Sequence, residues 1–363
     1  MSETLLLIGY FGYGNLGDEE TLRVFTEELT ARDIPYRTLI CGHAHGQCGA
    51  TDGTPTQNTV GRCDLLSLKK AMAECRGIVL VGGNLLQSES SRRSLLYYTL
   101  LLRYALRQGK PVSLFAGGIG GFRLEKEKKS IEKLIARFSF LGFRTFSDVA
   151  RIKEKNSEKC KVCFTPDLCF SLEESVEQKE NLLLLIPRGR AVDDADFRLL
   201  IREAKRAAWR VAVAVFFPGE DGKALTRLSK ECGIGLFFPT DYEAFARYGA
   251  VARLAVSERF HGGVFSLLCH TPCFLLSASE KSRALCDTVA ALVPKDPPLR
   301  PFTGYAELRE SLGDGFFSPA EHSETKAKKE TGEDLSGFSS LLSDLRKTAR
   351  RAFDDFVKNP SGR

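Results

Sequence analysis

Long apolar runs are missing from this chain: none approaches the ~18 residues of a membrane-spanning helix. The first residues lack a basic stretch and enter a strand pattern directly, which is not the layout of a targeting peptide. Metal-ligand spacing is thin as well. Cys160 and Cys163 form one C-x-x-C, but no second pair and no spaced histidines complete a four-ligand set, so no metal is expected. The 11 cysteines are odd in number and scattered, a usage that favours reduced thiols in a cytoplasmic compartment over a disulfide framework. Charge of one sign is not concentrated either: the net charge is +6 and basic residues are spread along the chain. That distribution does not point to nucleic acid, while acidic small molecules and a membrane surface are equally compatible with it. Histidine is scarce, with five in all.

What remains is a soluble globular composition, 43% hydrophobic and 27% charged, on 363 residues, enough for two domains with separate cores. The first half alternates short apolar strands with helical periodicity. Strand patterns cover Thr4–Ile8, Arg37–Ile40, Gly77–Val81, Val112–Ala116 and Phe138–Phe143; a helix starts near Asp18 and another runs from Ser91 to about Gln108. Gly42–Gly61 reads as a loop. A second series follows the acidic stretch Glu173–Glu180, with strands at Leu182–Ile186, Arg210–Phe216, Ile234–Phe237, Ala252–Val256 and Cys273–Leu276. The expected fold is α/β: two Rossmann-like domains, over residues 1–172 and 181–317, facing a cleft. A charged linker over 318–334 and an amphipathic C-terminal helix over 335–358 complete the chain. Right-handed crossovers place functional loops at the carboxyl ends of the strands.

Three segments carry chemistry. In the first, Gly12, Gly14 and Gly17 fit G-x-G-x-x-G between a strand and a helix, the context of a phosphate-binding turn. The second strand, however, ends Leu39-Ile40-Cys41-Gly42-His43 without the carboxylate that holds a dinucleotide ribose. The helix also opens Asp18-Glu19-Glu20, charges that suit its dipole and repel a pyrophosphate. A tight turn needed only for packing is one alternative; the other is a polar cleft wall for a sugar, built from Tyr10, Phe11, Tyr13 and Asn15.

The second segment runs from Gly82-Gly83-Asn84 to Ser91-Arg92-Arg93-Ser94. Amides, hydroxyls and guanidinium groups at a helix start form an anion site or, equally, a solvated cap with surface arginines. The third is Ser257-Glu258-Arg259-Phe260-His261-Gly262-Gly263, a strand running straight into a helix. His43 and His45 lie in the polar loop, His270 precedes Pro272 at a helix end, and His322 sits in the charged linker, which leaves His261 as the best-placed acid or base. Lys281 follows the next strand at the same sheet edge, so Arg259, His261 and Lys281 are expected to converge on one anionic ligand.

These blocks, in order, resemble the polysaccharide pyruvyl transferase family. The matching pieces are GYFGYGNLGDE at 9–19, GGNLLQ at 82–87, SRRSLLYY at 91–98 and GKPVSLFAGGIGG at 109–121. They continue with RTFSD at 144–148, TPDL at 165–168, ERFHGG at 258–263 and SASEK at 277–281, across most of residues 5–290. Members commonly carry Met-Arg-Leu-His-Ala and Ser-Tyr-Asp-Pro-Lys at the last two; Arg259, His261 and Lys281 persist here while their neighbours differ.

The resemblance implies a GT-B-like arrangement of the two domains, and transfer of a pyruvyl group from phosphoenolpyruvate to a sugar of a cell-envelope polysaccharide or its lipid-linked precursor, often N-acetylmannosamine. A pyruvate ketal forms and phosphate is released, with no cofactor beyond the phosphoenolpyruvate co-substrate. It implies His261 as general acid, with Arg259 and Lys281 beside the donor in the second domain; Arg93 and Arg92 of the first domain, at the helix start read as an anion site, are expected to bind the donor as well. Tyr10, Phe11, Tyr13, Asn15 and Asp18 then fall on the acceptor side in the first. The implied setting is the cytoplasm, with peripheral association at the inner face of the membrane where the acceptor is lipid-linked. Two alternatives stay open: a nucleotide-sugar glycosyltransferase of GT-B-like fold, favoured by nucleotide-dependent stabilisation, and a non-catalytic saccharide-binding protein, favoured by sugar binding without phosphate release.

Overall fold

Runs of Leu, Ile, Val and Phe bounded by glycine and polar turns become two all-parallel sheets with helices between their strands. The computed structural model describes residues 4–40, 59–154, 160–276, 280–293, 297–313, 316–317 and 335–358. They divide into two units, one of residues 1–14, 18–171 and 345–363, the other of residues 15–17 and 172–344.

The first unit holds seven strands in the order β3-β2-β1-β4-β5-β6-β7. These are β1 (Leu5–Ile8), β2 (Tyr36–Ile40), β3 (Thr59–Gly61), β4 (Gly77–Val81), β5 (Val112–Gly117), β6 (Phe140–Phe143) and β7 (Lys161–Phe164). Between them run α1 (Leu16–Thr30), α2 (Leu65–Glu74), α3 (Arg92–Arg107), α4 (Glu125–Ile135) and α5 (Phe146–Lys153). Alternation along the strands sorts the side chains. Leu6, Ile8, Ile78, Leu80 and Leu114 join a core with Leu68 and Met72 of α2, Leu95 and Leu102 of α3, and Ile131 and Leu134 of α4. On the opposite face Phe115 meets Phe25 of α1 with ring centroids 5.4 Å apart. Phe353 and Phe356 of the C-terminal helix close on the same ring, each at 5.5 Å. Burying one such ring contributes about 1.5–3 kcal/mol, so these two phenylalanines suffice to anchor that half of the helix on this sheet.

The second unit holds six strands in the order β10-β9-β8-β11-β12-β13. These are β8 (Glu180–Ile186), β9 (Arg210–Ala214), β10 (Gly235–Phe237), β11 (Ala252–Ser257), β12 (Cys273–Leu276) and β13 (Leu299–Phe302). Its helices are α6 (Ala195–Arg206), α7 (Pro218–Cys232), α8 (Tyr242–Gly249), α9 (Phe260–Leu268), α10 (Glu280–Leu292) and α11 (Tyr305–Leu312), with α12 (Leu335–Lys358) shared between the units. Local chemistry sets their starts. Asp194 accepts from the Phe197 amide at 3.0 Å and Asp241 from the Ala244 amide at 2.6 Å, while Pro218 begins α7 where its missing N–H costs nothing.

The expected α/β architecture and C-terminal helix are present. Three strands were not expected, β3, β7 and β13, and all three are edge strands. Edge strands are short and half-solvated, so their sequences carry little apolar signal. β3 occupies the end of the segment read as the Gly42–Gly61 loop; residues 42–58 of it, and the linker 318–334, lie outside the described residues. In each sheet the chain turns outward in opposite directions from two adjacent strands, β1 and β4 in one, β8 and β11 in the other. Each switch point opens a crevice at the carboxyl ends of its own sheet, where α/β proteins bind ligands.

Candidate functional site

At the first switch point the loop after β1 carries the glycine pattern. Gly12 and Gly14 have φ of 83° and 74°, left-handed values that only glycine adopts freely. Their amides converge, and the Glu19 carboxylate from the first turn of α1 accepts both, at 2.8 and 3.2 Å. The chain's own carboxylate therefore occupies the concavity in which a phosphate would sit. Burial pushes the Glu19 pKa up, against the opposing pull of those amides. Charge repulsion at this helix start was the sequence argument against a pyrophosphate; direct occupation of the amides is a stronger one.

The four expected acceptor residues of this loop, and Asp18, separate by role. Tyr10 and Tyr13 stack, 4.1 Å between centroids, and the Tyr13 hydroxyl accepts from Arg62 at 3.0 Å. Arg62 in turn lies 4.2 Å over the Tyr97 ring, which fixes the aromatic pair. Phe11 is 1% exposed, with its ring against Gly9, so it shapes the loop from inside. Asp18 is half-buried, and its charge acts on the buried guanidinium of Arg144. Asn15 is half-buried and groups with the second unit.

The loops after β4 to β7 add a polar cluster that the sequence reading quoted but gave no role. Arg144 and Asp167, both buried, pair at 3.7 Å. Burial lowers the Arg144 pKa while Asp167, Asp18 and Asp148 act to raise it. A Cβ placed on Gly118 would touch Arg144 at 3.7 Å and Asn84 at 4.0 Å, so these groups share one small space. Arg92 and Arg93 lie elsewhere on α3, both exposed, with Arg92 bonded to Glu127 of α4 at 2.8 Å.

The second switch point gathers the charged set. After β11, Ser257 accepts the Arg259 amide at 3.0 Å and donates to the Arg259 carbonyl at 2.8 Å, a closed turn that aims the next residues. Gly262 is needed here for packing: a Cβ would come within 2.2 Å of Ser257 Oγ. Arg259 is nearly buried and its guanidinium bonds Asp221 of α7, which is 1% exposed. The other Asp221 oxygen accepts the Gly189 amide at 2.7 Å. Glu258 turns away toward the loop after β8, accepting the Arg188 amide at 2.6 Å with Arg190 at 3.8 Å. Burial raises the Glu258 pKa, offset by that amide and the arginines. The buried Asp221 and half-buried Glu258 thus cross-brace the loops that follow β8 and β11.

His261 occupies the first turn of α9, 8% exposed, edge-on to Phe260. Residues 15–17 belong to this unit: the Leu16 amide donates to the Phe216 carbonyl at 2.9 Å. A Cβ on Gly17 would lie 1.9 Å from His261 Nδ1. The third glycine of the pattern thereby makes room for the histidine. Lys281 lies in the first turn of α10, and its side chain is outside the described residues.

Arg188 was missed. It is half-buried, makes no ion pair among the described residues, and its pKa is lowered by burial and by the neighbouring Arg259 and Arg190. The signal was present as Pro187-Arg188-Gly189-Arg190 directly after the strand Leu182–Ile186. Cationic side chains at a switch point, with their neighbours' carboxylates already engaged, make an anion site.

Comparison with known proteins places this geometry. The family model described as polysaccharide pyruvyl transferase matches residues 51–280, which include β4, Arg188, Asp221, Arg259 and His261. No curated protein matches the sequence. Among solved structures, a UDP-glucose:anthocyanidin 3-O-glucosyltransferase in complex with UDP is similar at 9% identity and TM-score 0.59, covering 100% of both chains. Arabidopsis thaliana UGT89C1 complexed with quercetin gives 10% identity and 0.58, covering 99% of each. The UDP-GlcNAc 2-epimerase from Methanocaldococcus jannaschii gives 12% and 0.54, covering 92% of this chain and 98% of that one. At such identities the likeness concerns the GT-B-type fold alone.

Proposed function

The chain belongs to the polysaccharide pyruvyl transferase family, and on that premise we propose that it moves the pyruvyl group of phosphoenolpyruvate onto two hydroxyls of an envelope saccharide. The observation that supports this most is His261 at the start of α9 with Arg259 and Arg188 in the loops beside it, at one switch point inside the family-matched region. Phosphoenolpyruvate presents a carboxylate and a phosphate; guanidinium groups bind both and stabilise the charge that departs. Lys281 is proposed to share in this.

His261 as imidazolium delivers a proton to the methylene carbon, and the enol carbon becomes oxocarbenium-like. One sugar hydroxyl adds its oxygen to that carbon and loses its proton. The second hydroxyl then closes the ring as inorganic phosphate leaves. One diol proton replaces the one given to the methylene carbon and the other departs with the phosphate, so enol phosphate and diol become ketal and inorganic phosphate. The loop of Tyr10 and Tyr13 is proposed for the acceptor, because stacked aromatic faces and a fixed hydroxyl suit a sugar ring. An N-acetylmannosamine-type unit, free or lipid-linked, is the proposed acceptor class.

Phosphate release from phosphoenolpyruvate across a panel of envelope sugar acceptors tests this, with His261→Ala expected to lose on the order of 10²–10⁴-fold in turnover. The fold of the solved neighbours also fits a nucleotide-sugar glycosyltransferase. Thermal stabilisation by UDP with no response to phosphoenolpyruvate would favour that reading instead.

A further inference from the structure

The four most exposed large hydrophobic side chains among the described residues are all on two neighbouring helices. Leu65 and Leu66 open α2 at 69% and 83% exposure; Leu96 and Leu100 lie on α3 at 58% and 56%. Isolated surface leucines need no explanation, but two clustered pairs do. The helices adjoin, since Arg62, just ahead of α2, sits over Tyr97 of α3 and its carbonyl accepts the Tyr97 hydroxyl at 3.1 Å. On α3 the exposed residues Arg93, Leu96, Leu100, Arg103 and Arg107 follow one helical stripe, leucines in the middle and arginines at both ends. On α2, Lys69 follows Leu65 and Leu66 at the same spacing, and on α4, which packs beside α3, Lys126, Lys129 and Lys133 form a further exposed stripe.

Basic residues recur along the whole chain, but their excess over acidic ones is concentrated in the stretch that forms these helices. From Arg62 to Arg137, the stretch holding these three helices, there are 15 Lys and Arg against 6 Asp and Glu, an excess of nine in a chain whose whole net charge is +6. The buried sides of α2, α3 and α4 share one core against one face of the sheet, so their outer sides make one surface.

We propose that the α2–α3–α4 face docks on an anionic bilayer surface. Exposed leucines enter the interfacial layer while the surrounding lysines and arginines meet acidic headgroups, the two contributions that hold a peripheral protein on a membrane without spanning it. No helix among the described residues is long and apolar enough to cross. Charge complementarity selects this occupant: an acidic surface matches the whole basic rim, whereas a second copy of the chain would bring the same positive charge against it. The inference is independent of the transferase reading.

The test is flotation of the full chain with vesicles of phosphatidylcholine alone and of phosphatidylcholine mixed with phosphatidylglycerol. Binding is expected on the mixed vesicles only, weakening with salt. Leu96→Ser with Leu100→Ser should cut partitioning on the order of tenfold per leucine. Lys69→Glu, Arg107→Glu and Lys129→Glu together should cut it on the order of 100-fold, from about fivefold per basic residue. Phe238→Ser, an exposed aromatic of the second unit, should leave binding unchanged. Unchanged melting temperatures keep the comparison valid, since every altered side chain is exposed. Absence of binding to the mixed vesicles overturns the proposal, as does equal binding to neutral ones or binding that both variant sets leave intact. A concentration-dependent dimer that the leucine variants dissolve, without vesicle binding, assigns the face to a second copy.

Discussion

Gly17→Ala adds a single methyl group at the point where the glycine pattern meets His261. The new carbon would lie 1.9 Å from His261 Nδ1, 2.1 Å from Cγ and 2.5 Å from Cβ. Non-bonded contacts settle near about 3.5 Å, so the ring or the start of α1 must yield by roughly 1.5 Å. The ring has little room to yield, since His261 is 8% exposed and flanked by Phe260 and Phe265. Displacing a catalytic group by about 1 Å costs on the order of 10²-fold in rate, and overpacking costs about 1–3 kcal/mol of stability. Turnover of phosphoenolpyruvate should therefore fall about 100-fold, and the melting temperature should drop by roughly 2–4 °C per kcal/mol.

The same substitution in altered backgrounds separates this contact from a general disturbance of the turn. With His261→Ala the ring overlap disappears but the 2.5 Å approach to Cβ remains; with His261→Gly both are gone. The stability cost of Gly17→Ala should fall stepwise through wild type, His261→Ala and His261→Gly, a coupling read directly from the double-mutant cycles. Activity losses of the two sites should not add. Equal stability costs in all three backgrounds, or a Gly17→Ala protein with full turnover and an unchanged melting temperature, would refute the contact.

Asp221→Ala leaves the buried Arg259 guanidinium and the Gly189 amide without their shared acceptor. Urea unfolding should show a loss of about 3–5 kcal/mol, and a loss under about 1 kcal/mol would contradict the bracing role. Arg188→Ala should raise the apparent KM for phosphoenolpyruvate about 10–100-fold, from the ~1.5–3 kcal/mol of a charged hydrogen bond, with Arg188→Lys recovering part of it. An unchanged KM removes Arg188 from the donor site. Glu19 has a pKa raised above 4.5, so the folded chain keeps its proton where the unfolded chain has lost it. Its contribution is favourable below 4.5 and declines as pH rises through the higher folded value. Wild-type stability relative to Glu19→Gln should fall across that interval; a difference that stays flat with pH would show that Glu19 is not so perturbed.

Much of this architecture was legible because buried parallel strands write continuous apolar runs. Gly77–Val81 and Cys273–Leu276 match their observed strands residue for residue. Strands β3, β7 and β13 were silent because an edge strand needs few apolar residues. The site was legible to the extent that it lies at strand ends: Arg259 and His261 were placed by position alone. Asp221 was not, since it comes from α7, more than thirty residues earlier, and only the fold carries it to Arg259. Arg188 was in view, yet one arginine in a Pro-Arg-Gly-Arg turn does not differ from a surface residue until β8 is known to lie beside β11. Glu19 was read as a dipole partner because a sequence shows charge at a helix start but not which amides that charge accepts.

The two switch points therefore handle negative charge in opposite ways. At the first, the amides of Gly12 and Gly14 are consumed by Glu19, so the place where a G-x-G-x-x-G turn would hold a diphosphate is filled from within. At the second, Asp221 and Glu258 engage backbone amides and Arg259 but leave Arg188 without an ion pair among the described residues. The amides of the glycine turn are thus taken up from within, while cationic side chains gather in the loops after β8 and β11. That asymmetry is what the proposed function requires, because guanidinium groups grip the phosphate and carboxylate of a small dianion directly while a glycine turn serves an extended pyrophosphate. The glycine pattern persists with a different purpose at each position: Gly12 and Gly14 shape a turn that binds its own helix, and Gly17 yields space to the histidine.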